Sequence, residues 1–222
     1  MNRDNIYLSI ITLSKNDNQK FIRTLKSIIS QKIEVKIEWL IIDGSNYKTQ
    51  EKKKKLIKKF FVEDKQHNII LNFINSTKRG LYGIYPCMNY GKKIALGEYI
   101  IFLNSGDVFF NINSLEILIK NSLDADSKSS FIFGQAKNIA SSKINWLFPG
   151  SKLKNIESWL RFFEPNHQSM MISKRLASKY EFRTNCDSIS DGYWKREIIN
   201  DALDIIYLKT PIVKFFFDGV ST

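Results

Sequence analysis

Cysteine is nearly absent from this sequence. Cys87 and Cys186 are the only two, far apart and outside any metal-ligand spacing. A disulfide framework and a cysteine metal site are therefore excluded, and two reduced thiols in a cytoplasmic protein are expected. Histidine is equally rare. His67 and His167 stand alone, and neither belongs to a His-Glu-x-x-His pattern. His67 lies in a polar stretch and reads as a surface residue. No Gly-x-Gly-x-x-Gly follows the first predicted strand, and there is no Walker lysine loop and no Gly-x-Ser-x-Gly elbow, which disfavours dinucleotide oxidoreductases and P-loop NTPases. No apolar run approaches the ~20 residues of a membrane helix. Met1 to Asp4 is polar, and the short apolar run behind it does not make a secretory signal.

Acidic residues are also in deficit: 22 against 34 basic ones, a net charge of +12. Nucleic acid, an anionic membrane surface or a phosphorylated substrate could each account for that balance. The densest run is Lys52-Lys53-Lys54-Lys55, with Lys58 and Lys59 behind it. Leu56, Ile57, Phe60 and Phe61 recur there at helical spacing, so the lysines read as the solvated face of an amphipathic helix, with membrane attraction as the second reading. No exposed aromatics interleave with them, so nucleic acid is not expected as a partner.

What remains is a folded α/β composition. The 222 residues are 43% hydrophobic and 25% charged, enough to bury roughly 70% of the surface that the unfolded chain exposes. Continuous apolar runs at 6–13, 37–43, 68–74 and 98–103 predict buried strands. Helical patterns fall between them: one after Asn16 and Asp17, one over about 49–62, one from Tyr85 to Leu96 with Gly97 as its cap, and one from Ile112 to Leu123. Strand–helix alternation of this kind predicts a Rossmann-like, mostly parallel sheet flanked by helices. Residues 138–156 read as a long irregular loop around Trp146 and Pro149, of the kind that is functional or mobile. Short elements are expected at 158–163 and 168–172, then a helix near 191–202 and a last strand at 212–217. One domain is expected over 1–222.

In open parallel sheets, ligands bind beyond the carboxyl ends of the strands. Those ends carry Thr12, Ser14, Lys15 and Asn16; Asp43-Gly44-Ser45; Lys78-Arg79-Gly80; and Asn104-Ser105-Gly106-Asp107. Asp43 and Asp107 singly are good turn residues. Together at one edge they suggest a site that takes hydroxyl or imide donors and a divalent cation, Mg²⁺ or Mn²⁺.

At this point the residues resemble a family. Ser9–Asn16 (SIITLSKN), Glu38–Ser45 (EWLIIDGS), Arg79–Gly91 (RGLYGIYPCMNYG), Ala95–Asp107 (ALGEYIIFLNSGD), Asn166–Ile172 (NHQSMMI), Ser190–Trp194 (SDGYW) and Phe217–Ser221 (FDGVS) are similar to family 2 glycosyltransferases of the GT-A fold that build bacterial polysaccharides. The resemblance implies a nucleotide-sugar-binding half at 1–125 and an acceptor-side half at 126–222. It implies that Thr12, Ser14 and Asn16 lie under the nucleotide, that Asp43 accepts the imide proton of a uracil, and that Arg79 and Gly80 face the sugar-diphosphate. Asn104 and Asp107 occupy the Asp-x-Asp position, with Asp107 holding Mn²⁺ or Mg²⁺. Asp191 matches the general base, Asp187 being its rival, and His167 and Gln168 line the site. Trp194, beside Asp191, is the expected acceptor contact, while Trp146 and Trp159 are expected in the core.

The implied activity is an inverting, hexosyltransferase-like transfer from a nucleotide-sugar, a UDP-sugar first, to a glycan or lipid-linked acceptor. The implied location is the cytoplasm, with peripheral association at the inner face of the membrane. Two departures accompany the resemblance: Asn104 replaces the first Asp of the metal motif, and Pro86 stands where many relatives have Asp. The chain ends at Thr222, directly after the Gly-Val-Ser segment, as a minimal catalytic domain would. A nucleotidyltransferase on a similar sheet is the alternative enzyme, although Leu13-Ser14-Lys15-Asn16 lacks the glycine-rich loop that it would need. A non-catalytic scaffold keeping the fold is the alternative without chemistry.

Overall fold

The computed structural model describes residues 5–64, 68–123, 125, 129–185 and 189–217, with only the backbone of Val62, Glu63 and Asp64. His67, Cys186, Asp187 and residues 218–222 lie outside the described residues.

One nine-stranded sheet organises the chain. Its strands are β1 (Leu8–Ser14), β2 (Ile37–Asp43), β3 (Ile69–Asn75), β4 (Tyr99–Phe102), β5 (Val108–Phe109), β6 (Ser130–Ile139), β7 (Asn145–Phe148), β8 (Met170–Ser173) and β9 (Asp204–Phe216). They lie in the order β3-β2-β1-β4-β8-β6-β9-β5, with β7 pairing to β6 off that path. The strands β3, β2, β1 and β4 are mutually parallel, and β6 and β9 run in the same direction. Only β5, β7 and β8 oppose them. The mostly parallel sheet expected from the alternation is therefore present.

Strands covered on both faces should be apolar throughout. Every residue of β2 and β4 is buried, as are six of the seven in β1. The two-residue period then splits them. Leu8, Ile10, Trp39 and Ile41 meet α1 (Asn18–Ile29), α2 (Tyr47–Asp64) and α4 (Ser114–Ser122). Ile11, Leu40 and Ile42 meet α3 (Ile84–Ile94), α6 (Lys174–Lys179) and α7 (Ser190–Asp201). A short helix, α5 (Ile156–Leu160), adds Leu160 to the second face.

Three expectations need correction. The helix after Tyr85 ends at Ile94, and Ala95 caps it through the Gly91 carbonyl. Gly97 serves the following turn instead. A Cβ there would lie 2.4 Å from the Ser9 nitrogen, so only glycine permits this turn to cross β1. The turn is pinned by a buried polar chain, in which Leu96 N–H and Ser9 Oγ both donate to Glu38 Oε2. Second, 138–156 is not wholly irregular. Asn145–Phe148 pairs with Ala136–Ile139 as a hairpin, because Trp146 and Phe148 supply an aromatic face that a loop would waste. Third, the last strand starts at Asp204, and a bulge opposite Gly134 and Gln135 lets it continue past Pro211.

Lys92 is buried beneath this second face. Its ammonium donates to the Ala177 and Tyr180 carbonyls at the end of α6 and lies over the Phe182 and Trp194 rings. Burial lowers its pKa to about 8, against the opposing pull of Glu181 and Glu197. The unfolded chain therefore holds this proton more tightly than the folded one between pH 8 and 10.5. The strain is fully present below pH 8 and relieved as pH rises through that window. We expect the wild type to gain about 3 kcal/mol over that range relative to Lys92→Met. Urea midpoints of both proteins across the window measure this, and parallel curves would disprove it.

Candidate functional site

The polar residues gather at the carboxyl ends of β1, β2 and β4, in two clusters. The first lies where β1 and β2 end side by side, Ser14 opposite Asp43. Asp43 is fully buried. Its Oδ1 accepts from the Ser45 amide at 2.7 Å, and its Oδ2 accepts from Lys53 Nζ at 2.5 Å. Lys53 also donates to Ser14 Oγ at 2.7 Å and to Ser45 Oγ at 2.9 Å. Asn16, with φ at 60°, donates its amide to Ser45 Oγ and is itself exposed.

Lys53 corrects the reading of the lysine run as a wholly solvated face. It is completely buried, whereas Lys52, Lys54 and Lys55 are exposed. The signal was present in the spacing. Residues 53, 57 and 60 fall at i, i+4 and i+7, which puts Lys53 on the apolar face beside Ile57 and Phe60. A lysine at such a position needs a buried carboxylate, and Asp43 is the one supplied.

Thr12 does not reach this surface. It is fully buried, donates to the Leu103 carbonyl at 2.8 Å and accepts from the Trp39 indole at 2.9 Å. It braces β1 against β2 and β4 rather than lying under a ligand. Arg79 and Gly80 are exposed beyond β3, on a single 3-10 turn closed by Gly80 at φ 68°. The Arg79 guanidinium lies 5.9 Å from the Tyr90 ring centre.

The second cluster is built across β4. The turn Asn104–Asp107 follows that strand and is clamped to α1 by Thr24. The Thr24 hydroxyl donates to the Asp107 carbonyl at 2.8 Å and accepts from the Gly106 amide at 2.9 Å. Gly106, at φ 113°, makes the turn possible. The 3-10 turn His167–Ser169, just ahead of β8, faces it. Gln168 donates to Asp107 Oδ2 at 3.1 Å, and His167 Nε2 lies 3.5 Å from Asn104 Nδ2. His167 Nδ1 is 3.4 Å from Asp191 Oδ2, in the first turn of α7. Asn104, Asp107, His167, Gln168 and Asp191 thus form one connected group, in which the strand-end turn meets the residues that the family resemblance singled out.

Sequence reasoning missed Lys195. Its Nζ lies 3.2 Å from Asp191 Oδ2. The i, i+4 spacing on a predicted helix was a sufficient clue. Burial works to raise the Asp191 pKa. The His167 hydrogen bond and the Lys195 charge outweigh it and hold the carboxyl well below the usual range. Both partners engage Oδ2, and among the described residues Oδ1 has none.

Trp194 is a correction. It is 1% exposed, stacks on Phe182 at 4.5 Å and donates its indole N–H to the Tyr180 carbonyl. It fixes α7 and cannot meet an acceptor. Trp146, expected in the core, is 42% exposed. Cys87 is a buried free thiol whose pKa burial pushes up, so it is no nucleophile.

A divalent cation fits this donor set in one respect. Asn104 Oδ1 is buried without a hydrogen-bond partner among the described residues, on the same short turn as the Asp107 carboxylate. Two hard oxygens suit Mg²⁺ or Mn²⁺ when phosphates and water complete the shell. Among the described residues no group of three acidic, histidine or cysteine side chains could hold a metal alone.

Comparison with solved structures places the fold. TarS of S. aureus aligns with a TM-score of 0.71 at 16% identity, covering 97% of this chain and 38% of TarS. Its 1–349 fragment in complex with UDP-GlcNAc gives 0.71 at 16%, covering 96% and 59%. The mannosyltransferase PcManGT of Pyrobaculum calidifontis, in complex with GDP-Man and Mn²⁺, gives 0.62 at 14%, covering 95% and 57%. This chain therefore spans 38% to 59% of the length of these solved structures, less than two thirds of each, and the likeness to them is one of fold, the GT-A fold expected above. No curated protein sequence is similar enough to count as a relative. The profile of "Glycosyl transferase family 2" matches residues 9–179, most of the chain, and the chain belongs to that family.

Proposed function

We propose that the domain transfers a sugar from a nucleoside diphosphate sugar, a UDP-sugar first, to a hydroxyl of a glycan or lipid-linked acceptor, with inversion. The observation that carries this reading is the Asp191 carboxylate. It is pinned through one oxygen by His167 and Lys195, has its other oxygen without a partner among the described residues, and belongs to the same connected group as Asn104 and Asp107. A carboxylate held in this way takes the acceptor proton at Oδ1 while the hydroxyl attacks the anomeric carbon. One displacement needs one base and no covalent nucleophile.

The departing diphosphate gathers negative charge. Asp107 and Asn104 Oδ1 would hold Mn²⁺ or Mg²⁺, which supplies charge neutralisation there. Gln168 holds the Asp107 carboxylate in place. Arg79, exposed beyond β3, is suited to the phosphates. TarS with UDP-GlcNAc and PcManGT with GDP-Man and Mn²⁺ support a nucleotide-sugar and a metal on this fold. At the base end, Lys53 and the Ser45 amide already satisfy the Asp43 oxygens. The hydroxyls of Ser14 and Ser45 accept from Lys53, so their own protons remain for a base carbonyl, with Asp43 behind them. The donor half is read as 1–125 and the acceptor half as 126–222. Synthesis of a bacterial surface polysaccharide in the cytoplasm, at the inner face of the membrane, is the proposed setting. No helix among the described residues is long and apolar enough to cross a membrane.

Calorimetric titration with UDP, with and without Mn²⁺ and with GDP as comparator, tests this. UDP binding that strengthens with Mn²⁺ and weakens in Asp107→Asn is expected. GDP preference would overturn the uracil assignment. No binding of either nucleotide to folded protein would leave the scaffold reading.

A further inference from the structure

A surface cavity lies away from the proposed catalytic cluster. It has a volume of about 640 Å³ and is lined by Lys152, Leu153, Lys154, Ile156, Tyr207 and Lys209. All three lysines are exposed, and none pairs with a described carboxylate. The cavity's Tyr207 belongs to an aromatic cluster that passes through the buried Phe133. The Phe133 ring stands 5.1 Å from Tyr207 in the cavity and 6.5 Å from Trp159. Trp159 in turn touches Phe148 at 5.1 Å and Phe163 at 5.7 Å. Trp146, two residues from Phe148 on the same face of β7, packs against Phe217 at 5.4 Å.

The outer rings of this cluster and their chain neighbours are uncovered. Phe162 is 78% exposed, Ile144 61%, Phe163 50%, Trp146 42% and Phe217 41%. Soluble monomers seldom expose so many large apolar side chains together. Cations accompany them in sequence: Lys143 precedes Ile144, and Arg161 precedes Phe162 and Phe163. Of the acids on α5 and just after it, Glu164 is neutralised by Arg196, and Glu157 is the exposed one.

We propose that this face docks the protein on an anionic phospholipid bilayer. Trp146, Phe162 and Phe163 enter the interfacial layer, where aromatic rings are favoured. Lys152, Lys154 and Lys209 receive the lipid phosphates, their alkyl stems lying along Leu153 and Ile156. The chemistry separates this occupant from a second copy of the chain, since two copies would oppose lysine to lysine. The face is also well placed. Asn138, opposite Trp146, accepts from Asn166, the neighbour of His167. Arg196 of α7 ties the end of α5 through the Leu160 carbonyl and Glu164. A membrane-bound acceptor would therefore arrive beside Asp191. That consequence rests on the proposed transferase activity, whereas the docking itself does not.

Cosedimentation with phosphatidylcholine vesicles, with and without phosphatidylglycerol, tests the docking without any sugar substrate. Binding to the anionic vesicles alone, weakening with added salt, is expected. Replacing Lys152, Lys154 and Lys209 together by Gln should lower the partition coefficient about a hundredfold, at about fivefold per cation. Phe162→Ser with Phe163→Ser should remove the part that survives high salt. Replacing the exposed Lys52, Lys54 and Lys55 of α2 by Gln serves as the control for net charge and should change little. Equal losses in the α2 variant, no vesicle binding by the wild type, or a dimer by light scattering that the phenylalanine variants dissolve would each overturn the proposal. Unchanged thermal midpoints in all these surface variants confirm that the fold is intact.

Discussion

Asp191→Asn is expected to lower kcat by about 10²–10⁴-fold, with the affinity for UDP left within experimental error of wild type. The amide keeps the size of the side chain but cannot accept the hydroxyl proton. Its contacts would survive in altered form, because an amide oxygen in the Oδ2 position can still accept from Lys195. The split between rate and affinity therefore isolates proton transfer from positioning. Burial disfavours the ionised Asp191, but His167 and Lys195 more than offset it and keep the carboxyl well below the usual range. The carboxylate is thus already deprotonated near neutral pH. An acid limb in the pH–rate profile of the wild type should not come from this group. Lys195→Met removes one of the two partners on Oδ2. It is expected to slow transfer less than Asp191→Asn and to bring an acid limb upward into view. Single-turnover rates with saturating donor, measured across pH for the three proteins, check this. A kcat for Asp191→Asn within threefold of wild type would remove Asp191 as the base.

The parallel half of the fold was legible because buried parallel strands are written as unbroken apolar runs, such as Trp39-Leu40-Ile41-Ile42. The polar residue ending each run marked the site edge. Legibility failed where the physical cause was not local. Gly97 looked like a helix cap, but its constraint comes from the backbone of Leu8 and Ser9, nearly ninety positions earlier. Thr12 and Trp194 sit beside proposed site residues in sequence, yet each turns its polar atom inward to a partner from another element. The hairpin at 145–148 was hidden because its pairing with β6 depends on the sheet being complete. Asp191 and His167, which the family resemblance singled out, do meet in the structure, whereas Lys195 had to be seen as the next turn of the same helix.

Lys53→Met is expected to destabilise the protein by about 3–5 kcal/mol, the cost of breaking a buried ion pair from one side. Methionine keeps most of the alkyl stem and fits beside Phe21, whose ring centre lies 5.3 Å from the lost ammonium. The penalty would therefore come from charge rather than from a cavity. Asp43 would retain only the Ser45 amide, in a place that water does not reach. Ser14 and Ser45 would lose a donor in the same step. Adding Asp43→Asn to Lys53→Met removes the stranded charge. The double variant should recover most of the loss, since a neutral pair of similar volume can equal a buried ion pair. Urea denaturation of the four proteins closes the cycle. A coupling below about 1 kcal/mol would show that the two charges do not depend on each other. Recovery of stability should not carry recovery of function with it. In the double variant the Ser14 and Ser45 hydroxyls are no longer held as acceptors by Lys53, and their protons are free to turn toward each other or toward the new amide. If those protons meet the base, UDP affinity stays low in a protein that again folds well. A stable double variant that binds UDP as the wild type does would place the base elsewhere.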